Sequence, residues 1–131
     1  MTSDSESPKT LVRRFFQKVF NEQNFDVLAE LLSPNYTYNG VASSVEGNKA
    51  WVISLHSTYP GLCFSFDDIL CEGEKVAIRW RMTAPAHGDR PEGYITGTNI
   101  ITFDRGQAVT NWQNGSLSPS WEPTPSTAGA A

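Results

Sequence analysis

The sequence predicts an α+β domain in which three N-terminal helices pack on a strongly curved, mixed or antiparallel sheet that forms a cone with an internal pocket. Two observations lead to this class. Apolar residues recur at helical spacing as far as Tyr59, and beyond it they alternate with polar residues at the period of a strand. Helices that precede an antiparallel meander are typical of α+β domains. A sheet folded around one long helix leaves an open end that suits a ligand.

The helices come first along the chain. Ser7-Pro8 supplies a capping hydroxyl and a first-turn proline, and apolar residues follow at helical spacing, which predicts a helix over residues 8–22. Asn24 is placed to cap a second, shorter helix that Ser33-Pro34 would stop. A third helix is predicted from Glu46 to Tyr59, with its apolar residues on one side.

The strands follow, separated by turn sequences. A short strand is predicted at Tyr36–Asn39, before the third helix. Four longer strands are predicted after that helix, at residues 62–71, 75–83, 94–104 and 107–116. The segment 84–93 contains two prolines and two glycines, so it is predicted to be a loop or a distorted hairpin.

The bulk properties indicate one domain and disfavour nucleic acid and membrane as partners. In a chain of 131 residues we expect a flexible leader at 1–7, one domain at 8–116 and a tail rich in Pro, Ser and Ala at 117–131. The net charge of −4 disfavours a nucleic acid partner. No apolar run approaches the ~20 residues of a membrane span, and the polar start is unlike a secretory signal. We therefore expect a cytoplasmic protein.

The two cysteines are predicted to be unpaired. Cys63 and Cys71 fall on one predicted strand, which would separate them by about 26 Å. A disulfide needs Cα atoms within about 7 Å, and free thiols suit a reducing compartment. Two histidines and two separated cysteines offer no spacing typical of a metal site, and no phosphate-binding loop is present. We expect no metal and no cofactor.

Three segments carry motifs of one family in the same order. They are Leu11–Leu32 with its Phe-rich helix, Tyr59–Leu62 followed by Phe66–Trp80, and Phe103–Trp112. Together they resemble the SnoaL-like branch of the nuclear-transport-factor-2-like superfamily. The resemblance implies a cone-shaped fold, a small-molecule pocket and a homodimer formed through the outer face of the sheet. It also implies a range of functions, from polyketide cyclases, ketosteroid isomerases and epoxide hydrolases to proteins without known catalysis.

The resemblance places candidate chemistry on two strands. In the epoxide hydrolase relatives an Arg on this strand faces the pocket, with an Asp two positions later. Arg79 matches that Arg, but Arg81 stands at the position of the Asp. Family enzymes commonly place a working carboxylate two or four residues after the last strand's Trp. This sequence has Asn114 and Ser116 at those positions. Ser116 is a candidate substrate contact, and Trp112 is a candidate pocket wall or a core filler. An Asn amide can donate to a developing oxyanion, but it cannot act as a general base.

The orientation of Arg79 decides its role. If it faces inward with Arg81, as the relatives favour, the two cations need anionic partners, and only one of Asp67 and Asp68 can face inward to supply one. If it faces outward, both arginines are solvated and Trp80 fills the core. We expect the inward orientation.

The other candidates lie on the helices, the first strand and a loop. His56 and His87 could move protons near neutral pH, although a lone His is more often a surface or satisfied core residue. Tyr36 and Tyr38 could orient a substrate carbonyl or could simply pack in a strand. Trp51 and Tyr59 lie on the apolar side of the third helix and are further candidates for the substrate-binding wall.

Two functions remain open. The first is a cofactor-independent enzyme that cyclises, isomerises or otherwise moves a proton on a small hydrophobic carbonyl compound, with Asn114 in place of the family carboxylate. An epoxide-hydrolase-like reaction belongs to this class. The second is a non-catalytic ligand-binding or dimeric interaction domain on the same fold, which the missing carboxylate favours.

Overall fold

The computed structural model describes residues 6–115 and 122–123. Residues 1–5 of the predicted leader and most of the predicted tail, at 117–121 and 124–131, lie outside the described residues, as does Ser116. The first helical segment consists of α1 (Pro8–Arg14) and a π-helical stretch (Phe15–Asn21) that continues it. The Ser7 hydroxyl accepts a hydrogen bond from the Thr10 amide at 3.2 Å, which caps α1 as predicted.

The second helical segment is shorter than the sequence suggested. Asn24 Oδ1 accepts from the Asp26 amide, a 3₁₀ turn follows at Phe25–Val27, and α2 spans only Leu28–Leu31. Leu32 is already extended and begins strand β1 (Leu32–Tyr38). Ser33-Pro34 therefore lies inside a strand instead of ending a helix. The parallel pairing of β1 with β6 shifts register between Leu32 and Thr37, which accommodates this Pro.

The third helix, α3 (Val45–Thr58), matches its prediction within one residue at each end. Ser44 caps it by accepting from the Gly47 amide at 3.0 Å. Val52 and Leu55 are buried on its inner side. None of the helices in the described residues has the length and apolar character needed to cross a membrane.

The sheet is mixed and carries six strands side by side. The strands after β1 are β2 (Val41–Ala42), β3 (Cys63–Glu72), β4 (Lys75–Ala84), β5 (Gly93–Asp104), β6 (Gln107–Asn114) and β7 (Glu122–Pro123). Their order is β2-β1-β6-β5-β4-β3, and β7 pairs with the start of β5. Only the β1–β6 pair is parallel among the described strands. The α+β class and the curved mixed sheet are confirmed.

Two local predictions are also confirmed. The loop between β4 and β5 is a distorted hairpin, because His87 and Arg90 exchange two backbone hydrogen bonds of 2.9 Å outside the regular strands. Cys63 and Cys71 both lie on β3, and both are exposed and unpaired.

An aromatic cluster joins the first helical segment to the inner face of the sheet. Phe16 stacks on Phe20 with ring centroids 5.0 Å apart, and both rings meet Phe64 of β3 edge-on. Phe64 in turn lies 5.2 Å from the fully buried Trp80 of β4. Edge-to-face and offset contacts of this kind stabilise cores beyond simple area burial. The cluster forms one wall of the interior.

Candidate functional site

A cavity of about 290 Å³ opens between the first helical segment, the start of α3 and the inner face of the sheet. Seven aromatic residues line it, together with four amides, one hydroxyl and one glycine. The lining residues are Phe16, Phe20, Tyr36, Tyr38, Ser43, Gly47, Asn48, Trp51, Phe64, Trp80, Asn99, Asn111 and Gln113. The pocket expected inside the cone is therefore present.

The polar part of this lining is uncharged. Among the described residues, no carboxylate, His, Lys or Arg lines the cavity, and its titratable groups are the phenols of Tyr36 and Tyr38. An apolar cavity of this kind disfavours an ionic ligand, because burial of an unpaired charge is costly. The cavity therefore suits a neutral molecule.

A chain of side-chain hydrogen bonds crosses the wall of the cavity. Trp80 Nε1 donates to Asn99 Oδ1 at 2.7 Å, and Asn99 Nδ2 donates to Asn111 Oδ1 at 2.7 Å. Asn111 Nδ2 then donates to the Tyr36 hydroxyl at 3.1 Å. All four residues are buried, so these bonds satisfy polar groups that have little contact with solvent. The chain links β4, β5, β6 and β1 across the sheet.

A second pair of polar groups lies beside this chain. The Tyr38 hydroxyl donates to Gln113 Oε1 at 2.5 Å. The Gln113 backbone amide donates to Asn39 Oδ1 at 2.7 Å, and the Asn39 amide donates to the Asn111 carbonyl at 2.9 Å. Asn39 and Gly40 both have positive φ in the two-residue turn between β1 and β2. This turn therefore fixes the end of β6 that carries Gln113.

Burial controls the ionisation of both phenols. It raises the pKa of Tyr36 to about 12, an effect that the hydrogen bond from Asn111 opposes and the neighbouring Tyr38 reinforces. Burial also raises the pKa of Tyr38. Both side chains are therefore neutral at physiological pH, and each can donate one hydrogen bond and accept others.

Asn48 adds a further amide near the start of α3. Its side chain lines the cavity, and only 8% of the residue is exposed. Its Oδ1 is buried and has no hydrogen-bond partner among the described residues. A buried amide oxygen without a donor is unusual.

The expected inward orientation of Arg79 is wrong. Its side chain is 52% exposed on the outer face of the sheet, with Nε donating to Asp68 at 2.7 Å. Asp67 lies 3.4 Å from both Arg79 and Arg81. A β-bulge between Phe66 and Asp68 lets both aspartates reach outward, although a regular strand would point them to opposite faces. Trp80 and Ile78 take the inner face, as the alternative orientation required.

The expected orientation of the last strand is also wrong by one residue. Asn111 and Gln113 line the cavity, whereas Trp112 and Asn114 are exposed on the outer face. Trp112 is 52% exposed and lies over Gly40, so it does not form a pocket wall. The predicted role of Asn114 as an oxyanion donor in the pocket thus has no support in its position. The predicted substrate contact Ser116 lies outside the described residues.

Neither histidine lies in the cavity wall. His56 Nε2 contacts the Phe20 carbonyl at 2.6 Å, and because a carbonyl only accepts, this nitrogen is the donor. His56 thus ties α3 to the π-helical stretch. His87 is exposed in the β4–β5 loop. The structure does not bring either side chain together with Arg79 or Asn114 in the cavity.

The remaining sequence predictions divide clearly. Tyr36, Tyr38 and Trp51 line the cavity, as the substrate-contact prediction requires. Tyr59 is buried in the core outside the cavity wall, with the Arg90 guanidinium 4.8 Å from its ring centroid.

Sequence reasoning missed Asn99, Asn111 and Gln113. One signal could have found Asn99, because it shares a strand face with Ile95, Ile101 and Phe103, and a polar residue on an apolar face must find a buried partner. Asn111 had no such signal. The neighbouring Trp112 made the opposite face look like the buried one.

Comparison with known proteins identifies the family. The model of the SnoaL-like domain matches residues 12–111. Similar solved structures include a proposed polyketide cyclase from Acidithiobacillus ferrooxidans (TM-score 0.73, 22% identity, covering 86% of this chain and 90% of that one). A SnoaL-like polyketide cyclase from Agrobacterium tumefaciens has a TM-score of 0.74 at 15% identity, with 86% and 93% covered. AclR, a proposed hydroxylase from Streptomyces galilaeus, has a TM-score of 0.69 at 16% identity, with 86% and 90% covered.

These structural neighbours share the fold at low identity, and their stated activities differ from one another. No curated protein matches this chain in sequence. The match to the family model nevertheless extends from α1 to the Asn111 of the cavity wall, and it covers most of the domain. The chain therefore belongs to the SnoaL-like domain family.

Proposed function

We propose that the cavity binds a small, neutral, largely apolar molecule with a carbonyl oxygen, and that the chain promotes ring closure or a related rearrangement of that molecule. The observation that carries this proposal is the composition of the cavity wall. Seven of the thirteen lining residues are aromatic, and the others supply neutral amides, a hydroxyl and a glycine. Pockets of this kind bind apolar ligands and orient them through a few polar contacts.

The size of the cavity limits the ligand. A cavity of about 150 Å³ is enough to hold benzene. The volume of about 290 Å³ found here suits roughly two fused six-membered rings or a flexible chain of similar volume. Trp51 lies partly exposed at the wall, so the cavity has access to solvent beside α3.

The chemistry of the wall limits the reaction. Without a carboxylate or His in the described lining, the cavity can hold a substrate folded and can donate hydrogen bonds to an oxygen that gains negative charge. In an intramolecular ring closure, a bond forms between an enolisable carbon and a carbonyl carbon. The proton released from the first carbon goes to water, and the carbonyl oxygen takes a proton from water. Two of the three structural neighbours named above carry the name polyketide cyclase, which agrees with this class of reaction.

The absence of a proton acceptor from the described lining favours a second candidate, a carrier that binds the same class of molecule without changing it. The two candidates predict the same ligand and differ in its fate. Incubation with a linear polyketone, followed by mass spectrometry and ultraviolet spectroscopy, would reveal ring formation in the first case. Ring formation no faster than in the absence of the protein, with the compound recovered unchanged, would favour the carrier.

Binding in the cavity can be tested with a blocked variant. Calorimetry with the bicyclic ketone 1-tetralone should detect binding to the wild-type chain and none to Ser43→Trp, because a bulky ring at Ser43 would fill the cavity. Ser54→Trp is the matched control, since Ser54 is exposed on α3. Equal binding to Ser43→Trp and the wild type would place the ligand elsewhere and refute the proposal.

We also propose that the chain forms a homodimer through the outer face of the sheet. Leu70, Ala77, Ile100 and Trp112 lie in register on neighbouring strands, which creates an apolar row across β3 to β6. Leu70 is 67% exposed and Ile100 is 49% exposed. A twofold axis through the middle of this apolar row would set Leu70 of each copy against Trp112 of the other, as a self-complementary interface requires.

A further inference from the structure

We infer that Trp80 sets the direction of the hydrogen-bond chain in the cavity wall and thereby holds the Tyr36 hydroxyl as a donor to the ligand. This wall of the cavity would then favour molecules with a hydrogen-bond-accepting oxygen. This inference rests on the proposed binding function and adds a positioning residue and a rule of ligand selection to it.

The direction follows from the chemistry of the first member. An indole Nε1–H can only donate, so the atom of Asn99 that faces Trp80 at 2.7 Å must be its oxygen. The Asn99 amide nitrogen then points to Asn111 and must meet the Asn111 oxygen. This arrangement leaves the Asn111 nitrogen for Tyr36. A single donor-only group therefore orders two amides that would otherwise be free to exchange their ends.

Tyr36 is the last member of this hydrogen-bond chain, and its hydroxyl hydrogen is left free for a ligand. The Tyr36 oxygen accepts from Asn111, so its own hydrogen is not used in that bond. No acceptor for this hydrogen occurs among the hydrogen bonds of the described residues, and Tyr36 lines the cavity. Gln113 accepts from Tyr38 through Oε1, which leaves its Nε2 hydrogens as additional donors at the same wall. A carbonyl, quinone or lactone oxygen satisfies these donors, whereas a donor-only group such as a pyrrole N–H does not.

A pair of ligands that differ by one oxygen tests this selection. The dissociation constants of 1-tetralone and of its hydrocarbon analogue tetralin are measured by calorimetry for each variant, and their ratio isolates the contribution of the carbonyl. We expect Tyr36→Phe to lower the preference for the ketone about fivefold, since one net hydrogen bond contributes about 1 kcal/mol. The affinity for tetralin should stay within about twofold of the wild type, because the hydroxyl contributes little to apolar contact.

Two further variants test the relay rather than the hydroxyl. Asn99→Leu removes the link between Trp80 and Asn111, and Trp80→Phe removes the directing donor. In each, Asn111 can turn its oxygen toward Tyr36 and capture the hydroxyl hydrogen. The preference for the ketone should then fall severalfold although Tyr36 is intact. Asn35→Leu is the matched control, because Asn35 is exposed on the same strand as Tyr36, and its preference should equal that of the wild type.

The outcomes separate the inference from the proposed function. If neither ligand binds the wild-type chain, the proposed function fails and the inference with it. If both bind and the ketone preference survives Tyr36→Phe, the inference is overturned while binding stands. If Tyr36→Phe lowers the ketone preference but Asn99→Leu and Trp80→Phe do not, the inference that Trp80 sets the direction of the hydrogen-bond chain is overturned. If Asn99→Leu fails to fold, as judged by circular dichroism, the result with Trp80→Phe alone tests whether Trp80 sets the direction of the hydrogen-bond chain.

Discussion

The buried phenol of Tyr36 should make the stability of this fold depend on pH in the alkaline range. Tyr36 is 1% exposed, and its pKa is raised from 10.0 to about 12 in the folded chain. A raised pKa means that folding favours the neutral phenol, so the contribution is complete below about pH 10 and is lost as pH rises through about 12. Each unit corresponds to about 1.4 kcal/mol, so the loss is about 1.4 kcal/mol at pH 11 and approaches about 2.7 kcal/mol above pH 12.

The variant Tyr36→Phe isolates this effect from other alkaline titrations. Near pH 8 we expect it to be less stable than the wild type by about 1–3 kcal/mol, because Asn111 Nδ2 loses its acceptor. Between pH 8 and pH 11 the difference should shrink by about 1.4 kcal/mol, since only the wild type has this phenol to ionise on unfolding. Urea unfolding at both pH values measures it. If the difference in unfolding free energy stayed constant with pH, the claim that burial raises the pKa of Tyr36 would be refuted.

Three substitutions and one thiol titration have outcomes that follow from the structure. Gly97→Ala should destabilise the fold by about 1–3 kcal/mol in urea unfolding, because its methyl group would collide with the indole of Trp80. Asn99→Asp should make the preference for tetralone over tetralin fall as pH rises. An ionised carboxylate at this position accepts from both Trp80 and Asn111, so Asn111 turns its oxygen toward the Tyr36 hydroxyl. Trp112→Lys should shift the chain to a monomer in analytical ultracentrifugation, whereas an unchanged mass would exclude this dimer face. Ellman's reagent should titrate both Cys63 and Cys71 in the folded chain without reductant, as both are exposed.

The first and third helices and the four long strands could be predicted from periodicity, whereas the extent of the second helix and the inner face of some strands could not. Alternation groups Ala77, Arg79 and Arg81 correctly on one face of β4. Which face lies inside depends on partners from distant parts of the chain. The bulge in β3 places both aspartates on the outer face, where they pair with the arginines of β4. Strict alternation of residues along a strand does not predict such a bulge.

The candidate site could be predicted only in outline. Tyr36, Tyr38 and Trp51 were identified because aromatic residues on a cavity wall are an expected pattern. The amides were missed because each hydrogen-bonds to a partner on another strand. Asn99 and Asn111, for example, are 12 positions apart in the sequence. The family resemblance directed attention to positions where relatives carry a carboxylate. In this chain Asn114 is exposed on the outer face, and Ser116 lies outside the described residues.

The bulge at Asp67 and Asp68 also has a consequence for how this molecule avoids aggregation. Strand β3 is one edge of the six side-by-side strands, and it is ten residues long. A long regular edge invites a strand from another molecule to add by backbone hydrogen bonding. Adjacent charges on a bulge interrupt that ladder midway along β3. The charged bulge, paired with Arg79 and Arg81, therefore makes this edge a poor template for strand addition.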